Sequence, residues 1–304
     1  MSTTPTDRAL APTPAPSLAP TLPADAPPAT RGRRWPAALT PPVTIGLVVI
    51  AFWLVVTLTV PWWSPYGPLE QIAPRLQPPG GDHWFGTDVL GRDVFSRTLH
   101  GARQSLPIAL IVIVCSVAIG SLLGTAAGWF GGWVDVVVMR AADVTLAFPA
   151  ILLAMAVAAS LGPGLRNAFL ALVVVWWPIY ARLLRAQVMS VRRRDHVEAA
   201  VSIGATRGRI LRKHVLPMSF TPVLVNATMD FGQVVLLTAS LSFLGLGALP
   251  PSPEWGAMIT EGAKNFYDWW IAVMPGIAIL SVVLAFNFVG DGVRDALDPR
   301  SKGR

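Results

Sequence analysis

Val43-Thr-Ile-Gly-Leu-Val-Val-Ile-Ala-Phe-Trp-Leu-Val-Val-Thr-Leu-Thr-Val60 runs without a single charged residue. About 20 such residues, each rising about 1.5 Å in a helix, cross the roughly 30 Å of bilayer hydrocarbon. Five more stretches read the same way: Leu106 to Ala127, Val144 to Leu161, Ala168 to Tyr180 with its continuation, Pro222 to Ser242, and Ile271 to Gly290. Backbone groups in lipid must be paired within the segment or in a closed barrel, and barrel strands alternate polar with apolar residues. No such alternation is present, so the pattern predicts an all-α integral membrane protein with six transmembrane helices. Only 13% of the 304 residues are charged, against about 25% in soluble domains, and the mean hydropathy is +0.54.

The formal charge of +7 raises the question of nucleic acid. The basic residues lie between apolar spans and not on a separable soluble domain, which excludes that partner and leaves membrane lipid. With the N-terminus inside, 18 of the 24 Lys and Arg residues fall on the cytoplasmic side, so the positive-inside rule places both termini in the cytoplasm. Residues 1–35, rich in Pro, Ala and Thr, read as a disordered cytoplasmic tail with no cleavable signal pattern, ending at the cluster Arg31, Arg33 and Arg34. The remaining chain divides into the first span and an external loop (36–104), a transmembrane domain (105–292) and a cytoplasmic C-terminal tail (293–304). Cys115, the single cysteine, lies inside the second span and is read as packing.

The external segment Pro61 to Gln104 carries Trp62, Trp63 and Tyr66, whose amphipathic rings favour the interface, and a turn at 86–93 leading into a short helix. Gly120, Gly124, Gly128 and Gly132 recur every four residues, which puts them near one helix face suited to close packing. The main cytoplasmic element is Arg182 to Pro217, holding nine of the 24 basic residues. It reads as a short helix to about Ile203, a break at Gly204 and a second helix closed by Pro217. On composition alone this is either a docking element or a solvated connector.

The residue order in that loop carries a resemblance. Glu198-Ala-Ala200, a glycine six residues after the glutamate, Ile210 and a closing Leu216-Pro217 resemble the EAA loop of ABC importer permeases, before the second-last span as in that family. Gly86-Thr-Asp-Val-Leu-Gly-Arg-Asp93, Leu99-His-Gly-Ala-Arg103, Leu241-Ser-Phe-Leu-Gly-Leu-Gly247, Pro253-Glu-Trp-Gly256 and Gly290-Asp-Gly-Val-Arg-Asp-Ala-Leu-Asp-Pro-Arg300 extend it to the C-type subunit of the dipeptide, oligopeptide and nickel permeases. His100 and His196 depart from it, standing where that family commonly has tyrosine. The resemblance implies an ABC importer type I permease fold and a bacterial cytoplasmic-membrane location. It also implies three kinds of partner: a second, B-type permease, ATP-binding subunits that hold ATP and Mg2+, and an external solute-binding protein. Glu198, Ala199, Ala200, Gly204, Ala205, Ile210, Leu216 and Pro217 would form the ATPase-coupling loop. The chain has no Gly-x-x-x-x-Gly-Lys-Ser/Thr phosphate loop, so no cofactor is expected in it and it is read as a transport subunit, not an enzyme.

Within the spans, Asn226, Asp230 and Gln233 share one helix face, either bordering a translocation path or forming an inter-helix network. Arg140 and Asp143, three residues apart, are expected to pair. His83, His100, His196 and His214 have no metal-site spacing, and no catalytic constellation appears. A secondary transporter or an intramembrane enzyme is the reading of another class. Within the importer reading, nickel or another small polar solute is the alternative to peptides.

Overall fold

The computed structural model describes residues 40–297; the expected N-terminal tail and residues 298–304 lie outside them. Five long apolar helices dominate: α1 (Pro41–Trp63), α2 (Val94–Phe130), α5 (Leu165–Val191), α8 (Leu216–Phe243) and α10 (Trp270–Leu297). Between them lie α3 (Gly132–Leu146), α4 (Ala150–Leu161), the short α6 (Asp195–Ser202) and α7 (Arg207–Ile210), and α9 (Trp255–Ala263). Five helices are long and apolar enough to cross a membrane, and six spans result if the pair α3 and α4 counts as one.

Three local expectations change. The stretch Val144 to Leu161 is not one rod: α3 and α4 meet at 94°. Pro149 has no N–H to continue α3, and its extended ψ of 129° turns the chain. The second helix begins at Val94, not near Leu106, and what looked like a short external helix is its first three turns. Pro217 does not close a helix either. A π turn at Leu211–Val215 carries α7 directly into α8, and widening the ladder there accommodates both the missing proline N–H and the ring.

Glycine spacing sets the tightest packing. A Cβ at Gly120, Gly124 or Gly128 would collide with α5 at Trp177–Tyr180, Ala181 and Arg185, so α2 and α5 run parallel with their backbones in close approach. Gly132, the fourth of the series, has open space around it and lies beyond the end of α2. On the other side α10 runs antiparallel to α8, with Gly232 against Val283 and Gly290 against Met229. Val43 of α1 lies against Gly292 of α10. The two ends of the described chain therefore share one end of the bundle with α6 and α7.

The opposite end holds α9 and the segment 64–93. Asp88, 1% exposed, accepts from the backbone N–H groups of Leu90 and Arg92 and pairs with both Arg92 and Arg97. The two guanidiniums also reach Glu261 on α9, at 2.7 Å from Arg92 and 3.3 Å from Arg97. Asp93 caps α2 by accepting from Ser96 N–H at 2.7 Å and meets the His83 ring at 3.0 Å. Glu254, wholly buried, caps α9 by accepting from Ala257 N–H and accepts from Ser105 of α2. Trp255 donates its indole N–H to the Thr98 carbonyl. Burial pushes the carboxyl of Glu254 above its ordinary pKa despite these donors. Glu261 is raised for the same reason, with Arg92 opposing the shift.

Candidate coupling element and intramembrane polar network

The segment after α5 folds back onto the bundle by one face. Val197, Ala200, Ile210 and Val215 are buried in the main core, and Ala205 packs against it. The α6 helix starts with no side-chain cap; Asp195 and Glu198 in its first turn complement the helix dipole instead. Its C-terminus closes in a Schellman arrangement: Ala205 N–H donates to the Ala200 carbonyl and Gly204 N–H to the Val201 carbonyl. Gly204 has φ +79°, a conformation that disfavours any residue with a Cβ. The break at Gly204 thus gives a fixed reversal between two short helices.

The outer face of this element is free. Glu198, Ala199 and Gly204 are exposed, whereas Ala200 faces inward. Leu216 is half-buried and Pro217 is exposed on the following turn. Sequence reasoning missed Val201 and Ile203, which are 58% and 85% exposed beside Glu198. The available signal was an apolar pair inside an otherwise basic loop. An apolar outer face edged by the exposed carboxylates of Asp195 and Glu198 suits a protein surface better than water.

In the spans, the polar trio divides. Asp230 is buried and accepts from the Tyr180 hydroxyl at 2.8 Å and from Asn226 Nδ2 at 2.9 Å. Asn226 is half-buried at the rim of a cleft of about 450 Å3 that it shares with Met229 and Arg294. Gln233, two turns past Asn226 on the same stripe of α8, is exposed, as is Leu236. The geometry brings Asp230 and Asn226 together with Tyr180, which sequence reading did not single out, and leaves Gln233, on the same face, outside the bonded group.

Arg140 and Asp143 do not pair. Asp143 meets Arg182 of α5, and Asp135 binds Arg185 through two parallel bonds, so α3 is fastened to α5. Residues near in sequence lost to residues one helix away because α3 lies along the end of α5. The rings of His196 and His214 come to 6.4 Å, but among the described residues no three ligating side chains gather in a metal site.

Residues 120–303 match the family described as the binding-protein-dependent transport system inner membrane component. The chain belongs to this family. It is 44% identical over 266 residues to the probable D,D-dipeptide transport system permease protein DdpC of Escherichia coli K12, covering 86% of this chain and 89% of that protein. It is 43% identical to the dipeptide transport system permease protein DppC of Alkalihalophilus pseudofirmus, covering 85% and 86%. The glutathione transport system permease protein GsiD of Escherichia coli O6 is 43% identical, with 86% and 87% covered. In the inward-facing MetNI methionine ABC transporter, a chain 21% identical superposes with a TM-score of 0.51 over 66% of this chain and 97% of its own length. That likeness shows the permease fold. This permease is thus a membrane-embedded transport component, and the α6–α7 reversal belongs to the matched region.

Proposed function

We propose that this chain is the C-type permease of an ABC importer that carries di- or oligopeptides across the bacterial cytoplasmic membrane. It works with a B-type permease, two ATP-binding subunits or domains and an external solute-binding protein. The family membership and the peptide-transport names of its relatives support the reading. The observation that carries it is the α6–α7 element: an exposed outer face, held rigidly by a Schellman turn and seated on the bundle by its inner face. Such an element transmits force from a docked ATPase to α5 and α8, between which it is spliced. The basic-residue asymmetry supports a cytoplasmic position for it, and the chain ends gathered at the same end of the bundle follow it there.

Gln233 of α8, exposed on a membrane-spanning helix, is costly against lipid and suits a partner helix or a wet path. We assign the border of the translocation path to that face and to the cleft beside Asn226. Asp230 faces α5 instead.

The test is a full importer reconstituted in vesicles, with uptake of a labelled dipeptide and co-purification of the ATPase read on the same preparations. Gly204→Pro removes the N–H that Val201 accepts from and cannot adopt φ +79°. Glu198→Arg reverses the carboxylate nearer the exposed Val201 and Ile203. Both variants are expected to reach normal membrane levels and to lose about tenfold or more of ATP-driven uptake, about 1.4 kcal/mol added to the barrier of the driven step. If both bind the ATPase and transport normally, the loop is an ordinary connector.

A further inference from the structure

The cytoplasmic loop is joined to the spans at two places of unequal stiffness. On the α5 side the helix runs unbroken from Pro178 to Val191. On the α8 side three features weaken the backbone in succession: the π turn at Leu211–Val215, Pro217 and Pro222. Each proline deletes a backbone hydrogen bond, and π turns are commonly points of local give. Displacement entering through α7 would be lost in that stretch before reaching the middle of α8.

The Tyr180–Asp230 bond bypasses it. Tyr180, wholly buried, lies on the loop side of Pro178, and Asp230 lies two turns beyond Pro222. The 2.8 Å bond therefore links the stiff part of α5 to α8 past its weak points. Asn226, one turn before Asp230, holds the same carboxylate oxygen at 2.9 Å and fixes its rotamer. Trp176, one turn before Tyr180, is buried with its indole N–H unpaired among the described residues. A carboxylate only 9% exposed in the span, with protein donors around it, is strongly disposed to keep them, because little water competes.

We infer that Tyr180 and Asp230 form a cross-brace that makes α5 and α8 move as one, so that displacement of the loop reaches the face of α8 carrying Gln233. They are positioning residues and touch neither nucleotide nor solute. The inference rests on the reading of α6–α7 as the ATPase docking element.

The experiment uses the full importer in a Cys115→Ser background with Gln233→Cys as probe, and needs no knowledge of the solute. Maleimide labelling rates are compared without nucleotide and after trapping with ATP and vanadate, with ATPase co-purification measured alongside. The braced protein should show a severalfold change in rate on trapping. Tyr180→Phe should bring that ratio to near one while ATPase binding stays normal. Asp230→Asn, which keeps an acceptor oxygen for the tyrosine hydroxyl, should retain most of the response. Asp230→Ala, expected to behave as Tyr180→Phe, serves if the latter does not accumulate. A full response in Tyr180→Phe or Asp230→Ala overturns the brace alone. No response in the braced protein overturns the coupling reading, and the brace with it.

Discussion

Two polar interruptions break this apolar chain, and they handle charge in opposite ways. At the α9 end, Asp88, Arg92 and Arg97 are all buried, and each arginine pairs with both Asp88 and Glu261. At the α6 end, Arg193, Arg194, Arg207, Arg209, Arg212 and Lys213 are all exposed. Burial of a charge demands partners, so the first cluster pins the segment 64–93 to α2 and α9. Exposure leaves the second region available to another molecule. A substitution in the first should act on folding, and one in the second on association.

The largest effect is expected from Arg97→Ala. It removes a guanidinium that is 2% exposed, leaving buried Asp88 short of a donor and taking one from part-exposed Glu261. Breaking a buried pair from one side costs about 3–5 kcal/mol. The variant should show a steep fall in folded, detergent-soluble protein by size-exclusion chromatography, and a thermal midpoint far below that of the unsubstituted chain. A normal midpoint would mean that the cluster is ornamental and the contrast between the two ends false.

Ile203→Ser probes the other side of the comparison. Ile203 is 85% exposed, so its removal should change folding stability by no more than about 0.5 kcal/mol. ATPase co-purification should nevertheless weaken severalfold, since an apolar side chain at the centre of a docking face contributes by being covered. Unchanged association would move the docking face elsewhere on the loop.

What the sequence revealed follows the same division. The long apolar runs of α1, α8 and α10 were legible because lipid-facing helices need apolar residues nearly everywhere. The Glu198 to Pro217 loop was legible by residue order, and the break at Gly204 by the backbone freedom it requires. The first three turns of α2 were hidden, because Arg97, His100, Arg103 and Gln104 look like loop residues until Asp88 and Glu254 are seen to meet their neighbours. The bend at Pro149 was missed by reading hydropathy through a proline. Pro217 was over-read as a stop, since a π turn can absorb what an α-helix cannot. Tyr180 carried no signal in an aromatic-rich span; only the fold sets it against Asp230, fifty residues away.

The smallest effect expected is a pH dependence at the pinned end. Glu254 is raised above its ordinary value by burial, with the N–H groups of α9 and Ser105 only partly offsetting it. Because the folded pKa lies above the unfolded value of about 4.3, the group's contribution to stability is fully present below about pH 4.3. It is lost as pH rises through the folded pKa. Glu254→Gln removes this titration while preserving shape. Its carbonyl can accept from Ala257 N–H, and the Ser105 hydroxyl can turn to accept from the new amide. Thermal midpoints of the unsubstituted and Gln proteins should therefore lie close at about pH 4, and the unsubstituted protein should lose more on going to about pH 8. Glu261 titrates in both and cancels in the difference. Parallel pH profiles would show that the Glu254 carboxylate is as well held when charged as when neutral, and that the α9 end gains its rigidity from the Asp88 cluster alone.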